Sequence, residues 1–160
     1  MITEKLQNEI NGQITAELWS SNLYLSMSFY MEKEGYAGMA AWLKKQAAEE
    51  HDHACEMASY LIKRGGVAKV DKVDVVPTEF GSPLEVFTQV YEHECRVSQM
   101  IDALVDVASS EKDKATQDFL WGFVREQVEE EATASGIVEM IKKAGAAGVY
   151  YVDSKLGERR

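Results

Sequence analysis

Residues 49–53 read Glu49-Glu50-His51-Asp52-His53 and lie midway along a segment of helical length that stops at Gly65-Gly66. Glu50 and His53 are three positions apart, so on a helix they face the same way. Reading outward from Glu50 at helical spacing gives Met39, Leu43, Ala47, Ala54, Met57 and Leu61, an apolar stripe broken by one carboxylate and one imidazole. An unpaired carboxylate in that row would cost on the order of several kcal/mol, so the fold must bring a counter-ion or a metal to it.

The flanking sequence supplies three more helices with the same interruption. The first is expected from an N-cap at Thr3 to about Lys33, where Glu34-Gly35-Tyr36-Ala37-Gly38 breaks it. Its inward row is Leu6, Ile10, Ile14, Glu17, Ser21, Tyr24, Ser28 and Met31, with Trp19 and Leu23 off the row as apolar surface for assembly. The second runs from about Gly38 to Arg64, and the short connection makes the two antiparallel. From Gly65 to Gly81 the helical pattern lapses. Such a crossover can extend about 55 Å, more than the ~40 Å of the preceding helix, so the third helix can start at the opposite end and run parallel to the second.

Ser82-Pro83-Leu84-Glu85 opens the third helix with an N-cap, a proline in the first turn and a capping-box glutamate. Its expected inward row is Leu84, Phe87, Tyr91, Glu94, Val97, Ser98, Ile101 and Val105, ending near Ser109. The fourth is expected over about Asp113 to Lys143, with Phe119, Phe123, Gln127, Glu130, Ala134, Ile137 and Ile141 inward, and it ends at Gly145. Val149 to Gly157 is expected as a short fifth helix. The reading is one all-α domain over residues 1–160, an up-down-down-up four-helix bundle with a long crossover.

A net charge of −10 and a pI near 4.8 argue against nucleic acid or an anionic membrane as partner and favour attraction of cations. The N-terminus has no apolar h-region and no stretch approaches a membrane span, which makes the cytoplasm the expected location and leaves Cys55 and Cys95 as free thiols.

Glu17, Glu50, Glu94 and the Gln127/Glu130 pair all fall near the midpoints of their helices, so the bundle brings them to one level. Four carboxylates with His53 suit two divalent cations, and this oxygen-rich set favours iron(II) or manganese(II) over zinc. A second cluster, Glu49, Glu126, Glu129, Glu130 and Glu131, is either a solvated helix face or a further, weaker metal site. His51 and His93 lie off the inward rows and are expected on the surface.

On Glu17, Tyr24, Glu49-Glu50-His51-Asp52-His53, Glu94 and Glu126-Gln127-Val128-Glu129-Glu130-Glu131 the chain resembles the non-haem bacterial ferritins over essentially its whole length. That resemblance implies a ferroxidase which oxidises Fe(II) with dioxygen or peroxide and stores ferric mineral in a hollow homo-oligomer of twenty-four subunits. It implies that Glu17, Glu50 and His53 hold one iron and Glu50, Glu94 and Glu130 the other, with Gln127 close by and Tyr24 in support. Glu49, Glu126 and Glu129, with Glu130, look like the third iron site of that family. Thr133 stands where symmetric di-iron proteins carry a second histidine, and His51 stands where bacterioferritin places its haem-ligating methionine, so no haem is expected. A rubrerythrin-like peroxidase would need a Cys-x-x-Cys iron site, which is absent, and a cage subunit that only nucleates mineral would be expected to lack the inward ligands.

Overall fold

The computed structural model describes residues 1–160 as four long helices: α1 Glu4–Lys33, α2 Ala37–Lys63, α3 Pro83–Ser110 and α4 Lys114–Leu156. Local chemistry fixes three of the four starts. Thr3 Oγ1 accepts the Leu6 N–H at 3.3 Å, Ser82 and Glu85 close a capping box, and Asp113 Oδ1 accepts the Thr116 N–H at 3.0 Å. Asp113 also takes both arms of the Arg64 guanidinium, each at 3.0 Å, which ties the end of α2 to the start of α4.

The fourth start, that of α2, has no local cap, because Tyr36 makes no side-chain bond there. Asp153, far along the chain, supplies it instead by accepting the Met39 N–H at 2.8 Å. This contact needs glycine at position 38, where a Cβ would stand 1.9 Å from the Asp153 carbonyl oxygen. Asp153 belongs to the segment expected as a separate fifth helix. The helical run Lys114–Leu156 is broken at Gly145 (φ 63°, ψ −172°), a backbone conformation open essentially to glycine alone, so two helices meet there at a kink and the second, an arm over residues 146–156, carries Asp153. The arm then lies across the start of α2 and buries Val152 and Leu156.

Side-chain pairings give the topology. Ser28 bonds the Ala40 carbonyl and Ser21 the Ala47 carbonyl, so α1 and α2 are antiparallel. Gln46 meets Glu130, His53 meets Glu126 and Tyr60 meets Thr116, so α2 and α4 are antiparallel as well. With α3 folded back on α4 through a short turn, α2 and α3 run parallel, as the crossover length requires. The crossover travels the length of α1. Val67 and Lys69 bond to Gln7 and Asn11 near one end, while the Pro77 and Gly81 carbonyls accept from Ser26 and Tyr30 near the other.

The core falls into two apolar halves. One gathers Met27, Met31, Met39, Leu43, Phe87, Ile137 and Ile141, and the other Leu6, Ile10, Met57, Leu61, Ile101, Leu120 and Phe123. Between them lies a buried polar layer of Gln13, Glu17, Ser20, Gln46, Glu50, His53, His93, Glu94 and Gln127. On α3 the inward face is rotated from the expected row. Val90, His93 and Leu104 are buried, whereas Tyr91 is 37% exposed and Leu84, Ser98 and Val105 are half-buried. The offset is a constant one residue: Val90, Val97 and Leu104 are buried beside the expected Tyr91, Ser98 and Val105, while Phe87, Glu94, Ile101 and Ala108 keep their seven-residue row inward. Leu23, expected at the surface, is likewise inside the core, and Trp19 is half-buried against it.

Candidate metal centre

Glu17 from α1 and Glu50 and His53 from α2 form the one group of metal-capable side chains whose ligand atoms all lie within 4.8 Å of one another, and all three are buried. His53 Nδ1 lies 3.3 Å from Glu50 Oε2 and 4.0 Å from Glu17 Oε2. Its Nε2 faces Glu126 Oε1 at 2.8 Å, and Phe123 closes the ring edge-on at 5.5 Å. When the ring is neutral and donates its Nε2–H to Glu126, the Nδ1 lone pair points at the two carboxylates, the orientation a metal-binding imidazole needs.

Glu94 comes in from α3. Its Oε1 accepts from the Tyr24 hydroxyl at 2.5 Å and its Oε2 from Gln127 Nε2 at 3.1 Å. Glu130, on α4, is half-buried and accepts from Gln46 Nε2 at 3.0 Å through Oε2. Glu94 and Glu130 therefore border the central group without joining its tight cluster.

Electrostatics mark this layer as short of cations. Burial raises the Glu17 carboxyl well above its ordinary 4.5, and the neighbouring Glu50 carboxylate adds to the rise. Burial lifts Glu94 to about 7 against the bonds from Tyr24 and Gln127, and it also raises Glu130. On His53 burial favours the neutral ring, but the Glu126 and Glu50 carboxylates outweigh it and carry the imidazole up to about 11. Tyr24 is held well above 10, first by burial and then by the Glu94 charge. Glu17, Glu94, Glu130, His53 and Tyr24 are thus all shifted toward their protonated forms.

The sharpest sign of a missing partner is Glu17 Oε2. It is buried with no hydrogen-bond donor, although Gln13 Nε2 holds the other oxygen, Oε1, at 3.1 Å. A carboxyl oxygen kept dry and without a hydrogen-bond donor, beside a second carboxyl and an imidazole, fits a hard divalent cation once its proton is released.

The outer acids behave differently. Glu49 pairs with Arg159 at 2.9 Å, Glu126 with His53, and Glu129 is exposed without an ion-pair partner, so the structure does not gather these three into one cluster. Glu131 is taken by Cys95 and Ser98. Both cysteines are free, Cys55 exposed and Cys95 half-buried.

His51 is exposed as expected, but His93 is only 3% exposed. It lies against Tyr24 and Trp19 with Nε2 2.7 Å from Ser20 Oγ, and burial, helped by Arg96, lowers it to about 4. One step before Glu94, it occupies the α3 flank that closes on α1.

Sequence reasoning also passed over Gln13 and Gln46. Each stands four residues before a central carboxylate and donates to it, Gln13 to Glu17 and Gln46 to Glu50, both at 3.1 Å. The repeated Gln-x-x-x-Glu spacing was a usable signal.

Residues 7–144 match the family model described as a ferritin-like domain. A bacterial non-haem ferritin of Bacteroides fragilis (strain 638R) is 70% identical over 159 residues, covering 99% of this chain and all of that protein. A bacterial non-haem ferritin of Campylobacter jejuni is 37% identical over 155 residues, covering 96% of this chain and 93% of that protein. An open pore ferritin from the archaeon Archaeoglobus fulgidus superposes with a TM-score of 0.98 at 42% identity over the full length of both chains. With its four-helix topology and an acid-rich layer at the bundle's centre, the chain belongs to the ferritin family.

Proposed function

We propose that the protein is an iron-storage ferroxidase, with Fe(II) as substrate at the central layer. The observation that carries this is the dry, unpaired Glu17 Oε2 facing His53 and Glu50. Glu17, Glu50 and His53 would hold one ion, and Glu50, Glu94 and Glu130 a second, with Glu50 shared and Gln127 alongside. Two Fe(II) ions held there each give one electron to dioxygen or peroxide, and the product Fe(III) is the harder ion, favoured by carboxylate oxygen.

The chain's own residues prepare the site. Gln13 and Gln46 fix the rotamers of Glu17 and Glu50, while Glu126 selects the His53 tautomer that turns Nδ1 inward. His53 and the raised carboxyls must give up protons as cations enter, so uptake couples to proton release. Tyr24 restrains Glu94 through its hydroxyl and stands next to the site as a candidate electron donor.

Closed assembly of twenty-four copies around a mineral store accompanies this reading, supported by family membership and by exposed apolar residues such as Phe29 and Trp121. Glu49, Glu126 and Glu129 would serve a third, weaker ion. The cytoplasm is the proposed location, and no helix is long and apolar enough to cross a membrane.

Anaerobic Fe(II) titration of the stripped protein, followed by oxygen, tests the proposal. It should show two ions bound per subunit and fast oxidation that Glu17→Ala abolishes. Equally fast oxidation in that variant would overturn it.

A further inference from the structure

One amide of the central layer is itself held from outside it. Gln46 Nε2 donates to Glu50 Oε1 at 3.1 Å and to Glu130 Oε2 at 3.0 Å, so a single buried side chain spans a carboxylate on α2 and one on α4. The other end of that amide, Oε1, accepts from Arg159 Nη2 at 3.0 Å. Turned over, the amide would set its oxygen against two carboxylates and its NH2 against a guanidinium, which leaves one orientation open to it.

Arg159 is firmly seated for this contact. Nη1 donates to the Trp42 carbonyl at 3.0 Å, Nη2 also reaches Glu49 Oε1 at 2.9 Å, and the guanidinium lies 4.4 Å over the Trp42 ring. Its side chain is only 19% exposed. Stacking on a ring and a forked donor set are what a guanidinium offers and an ammonium does not. The residue reaches this place because the kink at Gly145 turns the arm back toward α2, where Gly38 leaves room for Asp153. The remaining groups of the layer have holders of their own: Gln13 for Glu17, Glu126 for His53, and Tyr24 with Gln127 for Glu94.

We propose that Arg159 is a positioning residue for the central layer: by holding the oxygen of Gln46 it keeps that amide aimed at Glu50 and Glu130, and so sets the gap into which the ion of Glu50, Glu94 and Glu130 fits. This rests on the two-ion reading given above and adds the group that orients its α2–α4 side. No bond is made or broken.

The test is anaerobic titration of the stripped, full-length protein with Co(II), followed by calorimetry and by visible absorption, which reports the geometry around the bound ion independently of oxidation. The step that Glu130→Ala removes is the ion of Glu50, Glu94 and Glu130. In Arg159→Ala that ion should bind about five-fold more weakly, since loss of a ligand's direct partner costs roughly 10–100-fold and Arg159 acts one bond further out. Its absorption band should change, while the ion of Glu17, Glu50 and His53 keeps its parent affinity. In a Gln46→Ala background, Arg159→Ala should weaken the Glu130-dependent step no further. That cycle separates positioning from charge, because the lost guanidinium charge acts with or without Gln46. A merely structural role would weaken both steps alike. Parent-like binding of the Glu130-dependent ion in Arg159→Ala, equal weakening of both steps, or an equal loss in the Gln46→Ala background would overturn the proposal. Arg159→Lys keeps the charge without the planar fork and should also weaken that ion; if the alanine variant does not assemble, parent-like binding in the lysine variant is equally fatal. A parent protein that binds fewer than two ions would refute the central-layer reading itself, and the role of Arg159 with it, so the parent's own titration tells the two failures apart.

Discussion

We predict that Glu94→Gln makes the metal-free protein more stable, and only above the acid range. Glu94 has an ordinary value of 4.5 and sits at about 7 in the folded chain, chiefly because it is buried. Below pH 4.5 the carboxyl is protonated in both states and costs nothing. Between 4.5 and 7 the unfolded chain ionises while the folded one keeps its proton, so stability falls, and above 7 the full penalty applies. At ~1.4 kcal/mol per unit that penalty is about 3 kcal/mol. A glutamine stays neutral and can still accept from Tyr24, but its amide faces Gln127 Nε2 and loses that bond, at about 1 kcal/mol. Gln127 keeps the Glu94 carbonyl and Ser98 as partners. The expected net gain is about 2 kcal/mol at pH 8, turning at pH 4.5 into a loss of up to about 1 kcal/mol because the missing Gln127 bond is no longer offset. Urea midpoints of chelator-stripped parent and variant at the two pH values measure it, with an unchanged slope as the check on a common transition. A variant no more stable than the parent at pH 8, or equally more stable at both pH values, would refute the account of Glu94 as a carboxylate held in a site built for cations.

Other consequences are open to simpler assays. Calorimetry of divalent-ion binding near pH 6.5 in buffers of different ionisation heat should show release of about two or more protons per subunit, from His53 and the raised carboxyls; no buffer dependence would contradict the proton-filled layer. Gln46→Ala should weaken ion binding roughly 10–100-fold without unfolding the chain, because it releases both Glu50 and Glu130; parent-like isotherms would show that the amide is idle. Asp153→Ala should cost about 1 kcal/mol as α2 loses its only side-chain cap, seen as a lower urea midpoint.

Helix starts were legible wherever the cap is local. Thr3, the Ser82-Pro83-Glu85 set and Asp113 announce themselves in sequence because donor and acceptor lie within one turn. The start of α2 was legible to within one residue from the Gly35–Gly38 break, but its cap, Asp153, comes from 114 residues away and was not. Gly145 read as a stop, and its non-helical backbone does divide the run Lys114–Leu156 into two helices.

The central acids were visible as interruptions of apolar rows, and that signal survives small errors of register. His93 is buried and Tyr91 is not because the second inward row of α3 is Val90, Val97 and Leu104, one residue earlier than a row through Tyr91, Ser98 and Val105, which turns the buried face toward the His93 side of Glu94. The Arg159 contact could not be read at all. Nothing in a terminal Arg-Arg pair indicates that the chain bends back to bring one of them to Glu49, 110 positions earlier.

The long crossover has a consequence for how much the chain's length can vary. It is pinned to α1 by Asn11 and Gln7 at residues 67–69 and by Ser26 and Tyr30 at residues 77–81. Between the pins, Val70 and Val75 are 88% and 91% exposed. The pins, not the number of residues between them, therefore set the height at which α3 begins and so the level of Glu94 opposite Glu17. Extra residues after Val70 should loop outward at a closure cost of about 0.6 kcal/mol per doubling of the slack segment. A variant with four Gly and Ser residues inserted there should still titrate two ions per subunit, and loss of paired binding would show that the span itself acts as the ruler. The part of the chain that reverses the bundle's direction is, on this view, also where the sequence is freest to grow.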